Sequence, residues 1–217
     1  MSYVVSFIGG KGGITKTTLA RATAVRFRKD EWEVGALDID TAQTSFVRWN
    51  KRRQANEITP HFPVIAGSVL DLPKLKDEGR YHLIIVDGAA YASKDAETVA
   101  TQSDLIVVPC RFSYDDMDAA VETINNLVRR GVPKEKFCLV FSGVPEQRTE
   151  SNYLSAREYL TQTPYFVAEG YIEQMNSITD AQNLGNAMNE VRYSSLRAKV
   201  DRVLDAIVAR LETVTSE

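Results

Sequence analysis

Several residue types and patterns are scarce in this chain, and each scarcity excludes something. There are only two cysteines and two histidines in 217 residues. Cys110 and Cys138 fall at or near the ends of expected strands and read as buried core thiols in a reducing compartment, not as a disulfide framework. His61 and His82 have no ligand-like spacing with cysteines or acids and are assigned no role. No run reaches the ~18 consecutive apolar residues of a membrane span. Met1-Ser2-Tyr3 leads straight into an apolar run, so no signal peptide is expected. The charge is nearly balanced, 26 basic against 29 acidic residues for a net −3. Any nucleic-acid binding must therefore come from a local patch and not from the field of the whole chain. Internal repeats, low-complexity tracts and linkers are absent too, so residues 1–217 are expected to form a single domain. What is left is ordinary globular composition, 44% hydrophobic and 25% charged, in a chain long enough to bury a sizeable core.

Strand and helix signals alternate along the whole length. Apolar runs predict strands at 3–8, 32–38, 62–66, 81–87, 104–109, 136–141 and 165–167. Helices are predicted at 16–29 (after the glycine-rich turn), 70–76, 93–101 (capped by Ser93), 114–130 (amphipathic, stopped at Gly131), 152–161 and 193–211 (apolar residues at helical spacing), with a basic amphipathic segment at 44–54. The runs at 81–87 and 104–109 are nearly continuous in apolar residues, as in strands buried on both faces. Such alternation implies an α/β fold: a mostly parallel sheet with helices on both faces.

The most informative stretch is Phe7-Ile8-Gly9-Gly10-Lys11-Gly12-Gly13-Ile14-Thr15-Lys16-Thr17-Thr18, between the first strand and the first helix. Small residues there let backbone N–H groups wrap an anion, and the helix N-terminus adds the positive end of its dipole. In that arrangement Lys16 reaches the β- and γ-phosphates of a nucleotide and the Thr17 hydroxyl sits on Mg²⁺. The ordinary phosphate loop has glycine directly before its lysine, where this chain has Thr15. Two further stretches belong with the loop. Leu37-Asp38-Ile39-Asp40-Thr41-Ala42-Gln43 puts acids at the end of the second strand, where they can orient Mg²⁺ through its waters or position an attacking water. Taken alone, these acids would read as a helix cap or a solvated loop. Leu83-Ile84-Ile85-Val86-Asp87-Gly88 is four apolar residues then a carboxylate, the shape of a Walker B strand whose Asp87 holds a metal-bound water.

Lys-Gly-Gly-x-x-Lys-Thr-Thr, with Lys11 as a second early lysine, resembles the deviant Walker A box of the ParA/MinD family, most like the short ParA-type plasmid partition ATPases. Asp38 and Asp40 match that family's Asp-x-Asp-Pro-Gln. Thr41-Ala42 replaces the Pro and Gln43 is displaced by one. Gly88-Ala89-Ala90 stands where Thr-Pro-Pro is usual. The 100–116 segment and Ala181 to Glu190, an Ala-x-x-x-Gly-x-x-x-x-Glu pattern, extend the resemblance over residues 3–190. The resemblance implies a P-loop NTPase-like fold and binding of Mg-ATP by Gly10, Lys11, Gly12, Gly13, Ile14, Thr15, Lys16, Thr17 and Thr18. It places Thr17, Asp38 and Asp87 at the metal, and Asp40 where it activates water. It also implies a homodimer formed on ATP binding, in which Lys11 reaches the partner's phosphates, with Lys11, Lys16 and Asp40 as the catalytic set. Hydrolysis to ADP and phosphate would be slow and stimulated by a partner.

For such an ATPase the resemblance implies plasmid partition: DNA cargo positioned through nucleotide-gated, non-specific DNA binding with a centromere-binding adaptor, in a cytoplasmic, nucleoid-associated protein. The alternatives are a ParA-like factor that positions a conjugative or protein assembly, a nucleotide-binding switch with little hydrolysis (favoured by Thr15 and Gly88-Ala89-Ala90), or a small-molecule kinase or ligase, against which Lys11 argues. The C-terminal helix, about 193–212, carries Arg197, Lys199, Arg202 and Arg210, with Arg192 just upstream. These suit phosphate contacts, although its apolar face at Leu196, Val200, Val203, Leu204, Ile207 and Leu211 suits packing on the sheet equally well. With neither Trp nor Phe it makes a poor membrane anchor. The run Arg48-Trp49-Asn50-Lys51-Arg52-Arg53 reads as a solvated helix end or a nucleic-acid or partner surface.

Overall fold

The computed structural model describes residues 2–9, 15–90, 94–146 and 150–216. The strands are β1 (Tyr3–Gly9), β2 (Val34–Asp38), β3 (Val64–Ala66), β4 (Leu83–Ala90), β5 (Leu105–Cys110), β6 (Phe137–Pro145) and β7 (Phe166–Gln174). They form one sheet in the order β3-β2-β4-β1-β5-β6-β7, and every pairing is parallel. The helices are α1 (Lys16–Lys29), α2 (Ser45–Ala55), α3 (Leu72–Asp77), α4 (Lys94–Gln102), α5 (Tyr114–Arg129), α6 (Glu150–Thr161), α7 (Asn176–Asn183) and α8 (Ser194–Ser216).

The two-residue period of a strand divides the core into two layers. Val5, Phe7, Leu83, Ile85, Leu105, Val107, Cys138 and Val140 face α1, α2, α7 and α8. Val4, Ile8, Ile84, Val86, Ile106, Val108, Leu139 and Phe141 face α3, α4, α5 and α6. The strands are thus covered on both faces, which is why they read as continuous apolar runs. Both cysteines are free and buried as expected. Cys110 and Cys138 belong to opposite layers, and burial pushes the Cys138 thiol up to about 12.

The expected elements form with small shifts at their ends. Helix α5 is capped by Ser113: the Asp116 N–H donates to Ser113 Oγ at 3.3 Å. Ser93, the expected cap of α4, lies outside the described residues. The apolar stripe of α8 is buried at Leu196, Val200, Val203, Leu204, Ile207 and Leu211, so the packing role of this face is realised. Two elements depart from expectation. The last strand runs for nine residues where three were predicted. Glu169-Gly170 resembles a strand-ending turn, but Gly170, at φ +88, instead forms a bulge. There Val167 and Tyr171 sit opposite Leu139 and Phe141, so three residues of β7 face the single Val140. Helix α7 was not predicted at all, because its buried residues are only Ile178 and Gln182, too few to give a helical period.

Candidate functional site

Because all strands are parallel, their carboxyl ends share one edge of the sheet, where crossover loops can build a ligand site. β1 lies between β4 and β5 in the centre, so the glycine-rich loop leaves from the middle of that edge. Gly10, Lys11, Gly12, Gly13 and Ile14 lie outside the described residues. On the loop's far side, Lys16 folds back over the end of β1. A Cβ placed on Gly9 would lie 3.4 Å from Lys16 Cδ, so the lysine stem packs directly against the end of β1.

Thr15 takes φ +24, a conformation that favours glycine, which explains why glycine is usual there. Its side chain turns to β6: Thr15 Oγ1 donates to Ser142 Oγ at 2.6 Å. Gly143 makes room for it at φ +67, since a Cβ there would sit 3.2 Å from Thr15 Cγ2 and 3.8 Å from Arg111 Nε.

The carboxylates expected at the metal come together. Asp38 and Asp87 are register partners across β2 and β4, and both are buried. Asp87 is hydrogen-bonded to the Thr17 side chain; burial pushes its carboxyl up to about 7, against the pull of Thr17, with the Asp38 charge adding to the rise. Asp38 Oδ2 accepts from the N–H groups of Phe46 at 2.9 Å and Val47 at 3.2 Å, so it caps α2. Burial raises its pKa, and the Val47, Phe46 and Asp40 N–H groups pull it down. Asp38 Oδ1 and Asp87 Oδ1 are buried without a hydrogen-bond partner among the described residues. Two bare buried carboxylate oxygens beside a threonine hydroxyl fit a divalent cation. Among the described residues no group of three His, Cys, Asp or Glu side chains could hold a metal by itself.

Asp40 is half-buried at the rim, and its Oδ1 accepts from the Gln43 N–H at 3.1 Å. Gln43 itself is exposed. Gly88 is the bulge residue between Asp87 and Ala89 in the pairing of β4 with β1. At φ +105, a Cβ there would meet the Asp40 backbone nitrogen at 3.0 Å. Gly88 therefore lets the Asp40 loop close onto the Asp87 strand, and β4 continues through Ala89 and Ala90.

Four polar residues at this edge were not singled out in the sequence: Arg21, Arg111, Ser142 and Gln182. Arg21 had a signal, because it interrupts the buried run from Leu19 to Val25. A cavity of about 220 Å³ opens beside Thr15 and Thr18, lined also by Arg21, Ser142, Gln174, Met175, Ile178 and Gln182.

One sequence expectation needs correction. Within the basic run 48–53, Trp49 and Arg53 are 0% and Asn50 is 5% exposed, so half of the run is core. Arg53 is held by the carbonyls of Thr59, Pro60 and Gly185 and by both oxygens of Glu190, at 2.6 and 3.0 Å. The Ala181 to Glu190 pattern has a structural use: Gly185 passes so close to α2 that a Cβ would lie 2.6 Å from Arg53 N.

No family model matches the chain, and no curated protein matches it. Solved structures do. MinD in the MinC:MinD cell division complex of Aquifex aeolicus superposes with a TM-score of 0.76 at 15% identity, over 96% of each chain. MinD of Pyrococcus horikoshii, complexed with Mg-ADP, gives 0.73 at 14% identity, over 95% of this chain and 96% of that one. A putative plasmid partition protein of Borrelia burgdorferi bound to AMPPNP gives 0.71 at 13% identity, over 97% and 100%. The chain has the ParA/MinD fold. At these identities the likeness carries the architecture.

Proposed function

We propose that this chain is a ParA/MinD-like ATPase that binds Mg-ATP, forms a homodimer on binding it, and hydrolyses it slowly under the control of an adaptor. The observation that carries the reading is the trio Thr17, Asp87 and Asp38 beside the glycine-rich loop, with two bare carboxylate oxygens at the carboxyl edge of the sheet. Lys16 and the loop amides bind phosphate. Thr17, Asp87 and Asp38 would hold Mg²⁺, which when bound supplies charge neutralisation at the β- and γ-phosphoryl oxygens. Asp40 orients water from the loop that Gly88 admits. Lys11 acts across the dimer, stabilising charge on the transferring group. The switch with little hydrolysis loses one of its supports, because the Thr15 side chain is engaged with Ser142 on β6.

The output we propose is positioning of DNA cargo by nucleotide-gated, non-specific DNA binding, with a centromere-binding adaptor, in a cytoplasmic, nucleoid-associated protein. Among the described residues no helix is long and apolar enough to cross a membrane. On α8, Lys199 is engaged with Glu173, Arg197 with the Val191 carbonyl and Arg210 with the Glu135 carbonyl. Arg202, with Arg48, Lys51 and Arg52 on α2, and Arg192, which donates to the neighbouring Tyr193 hydroxyl at 2.8 Å, are the exposed cations of these two segments proposed as phosphate contacts. The test is steady-state ATP turnover with and without duplex DNA, against Lys16→Ala. Turnover no higher than in that variant sinks the enzyme. Gel-shift on arbitrary duplex with and without ATP tests the output; turnover without DNA binding would point to a protein assembly as cargo.

A further inference from the structure

Arg21 is a cation in an apolar place. It is 8% exposed, and a charge buried so deeply persists only where its surroundings hold it. Its Nη1 donates to Gln182 Oε1 on α7 at 2.6 Å, and its Nη2 to the carbonyl of Ser45, the first residue of α2, at 2.6 Å. Its guanidinium carbon lies 5.4 Å from the centre of the Trp49 ring, and Arg53, at the other end of α2, stands 5.4 Å from the same ring. Asp87 and Asp38 attract its charge, and Arg52 repels it. Its Nε and the Nε2 of Gln182 have no partner among the described residues. One side chain on the phosphate-loop helix thus ties α2 to α7 next to the acidic pair.

We propose that Arg21 is a positioning residue that couples occupancy of the nucleotide site to α2 and α7. The inference rests on the nucleotide reading above. In the empty site, Asp38 and Asp87 draw the guanidinium toward themselves. A divalent cation brought with the nucleotide neutralises that attraction, and the guanidinium is then held by the Ser45 carbonyl, Gln182 and the Trp49 face alone. Because two guanidinium groups each lie 5.4 Å from the centre of the buried Trp49 ring, its environment reports the change.

The chain has two tryptophans, so Trp32→Phe leaves Trp49 as the sole reporter. Binding of ADP and AMPPNP, each with Mg²⁺ and with EDTA, is measured by calorimetry, and Trp49 emission is followed in the same titrations. The expected result is an emission change with Mg-nucleotide that is smaller without the metal. In Arg21→Met nucleotide still binds and the emission change is lost; Arg21→Lys, which keeps the charge but not the fork, restores part of it. An unchanged emission response in Arg21→Met overturns the coupling. If Arg21→Met fails to fold by circular dichroism, Gln182→Met, which removes only the acceptor on α7, decides: an unaltered response overturns the inference and a diminished one supports it. No calorimetric binding by the parent protein would sink the nucleotide reading itself, and the coupling with it. Binding with a silent Trp49 would sink only the coupling.

Discussion

Removing the Glu190 carboxylate should be among the most damaging single changes available to this fold. The Arg53 side chain is 0% and the Glu190 side chain 10% exposed, so Glu190→Ala leaves a guanidinium with three carbonyl partners and no counter-charge. It also strips the Ala187 N–H of its acceptor, Glu190 Oε2 at 2.8 Å. Breaking a buried pair by deleting one partner costs about 3–5 kcal/mol. For a domain of this size that is a fall of roughly 6–20 °C in melting temperature. The same carboxylate also faces Lys29 at 3.8 Å, but Lys29 is 45% exposed, so Lys29→Ala should change stability by less than about 1 kcal/mol. Urea unfolding followed by far-ultraviolet circular dichroism measures both. The decisive control is the double variant Arg53→Met/Glu190→Met, which removes both charges together and should recover much of the loss. A Glu190→Ala variant within about 1 kcal/mol of the parent would refute the argument that this pair is desolvated. So would a double variant as unstable as Glu190→Ala.

Two more predictions concern the edge of the sheet. Thr15→Gly relieves the φ +24 backbone but forfeits the bond to Ser142, two effects of about 1 kcal/mol each and of opposite sign. Urea stability should move little, and calorimetric nucleotide affinity should stay near the parent's because the side chain faces β6; a large gain in affinity would mean that Thr15 crowds the phosphates. Asp87 is raised to about 7 in the folded chain from the ordinary carboxylate value near 3.9 in the unfolded one. Between those values the folded state holds the extra proton, so the nucleotide-free protein should lose stability as pH rises from about 4 to 7 and level off above. Asp87→Asn should flatten that slope in melts across the range, raise the melting temperature of the nucleotide-free protein at pH 7.5, and remove the Mg²⁺ dependence of nucleotide binding. An unchanged pH slope would count against the burial argument.

The sheet was legible because it is parallel and covered on both faces. Leu83-Ile84-Ile85-Val86 and Leu105-Ile106-Val107-Val108 fill two different layers with alternate side chains, so each reads as one apolar block. α5 and α8 were legible because their buried residues repeat at helical spacing, and α1 because it follows the glycine-rich loop directly, although its residues from Leu19 to Val25 are all buried. α7 and the length of β7 were not, since one depends on a buried Gln182 and the other on a bulge at Gly170, features that look like loop chemistry in a linear pattern. In the site, strand-end acids could be placed from the sequence because each ends an apolar run. Their partners could not. Arg21 meets Gln182, Thr15 meets Ser142 and Arg53 meets Glu190 across more than a hundred residues each, and no local spacing encodes such a contact. The basic run 48–53 misled for the same reason. Arg53 pairs with Glu190, and the Trp49 indole N–H donates to the Asn186 carbonyl at 3.1 Å, both partners lying far along the chain.

Asp38 shows why a capping role and a metal-binding role need not compete. In the sequence the two stand as alternatives for one carboxylate. In the fold they fall to its two oxygens: Oδ2 accepts from the Phe46 and Val47 N–H groups, and Oδ1 is bare and buried. The roles should therefore separate by substitution. Asp38→Asn keeps an oxygen for the α2 N–H groups and removes the charge whose burial is unfavourable in the empty site. Its melting temperature should match or exceed the parent's at neutral pH, while Mg²⁺-dependent nucleotide affinity falls. Asp38→Ala loses both functions, and the missing cap alone costs about 0.5–2 kcal/mol. Paired thermal melts and calorimetry on the two variants test the division. If Asp38→Asn melts as low as Asp38→Ala, the α2 cap depends on the charge and not on the oxygen. If it binds Mg-nucleotide as the parent does, Oδ1 has no part in holding the metal.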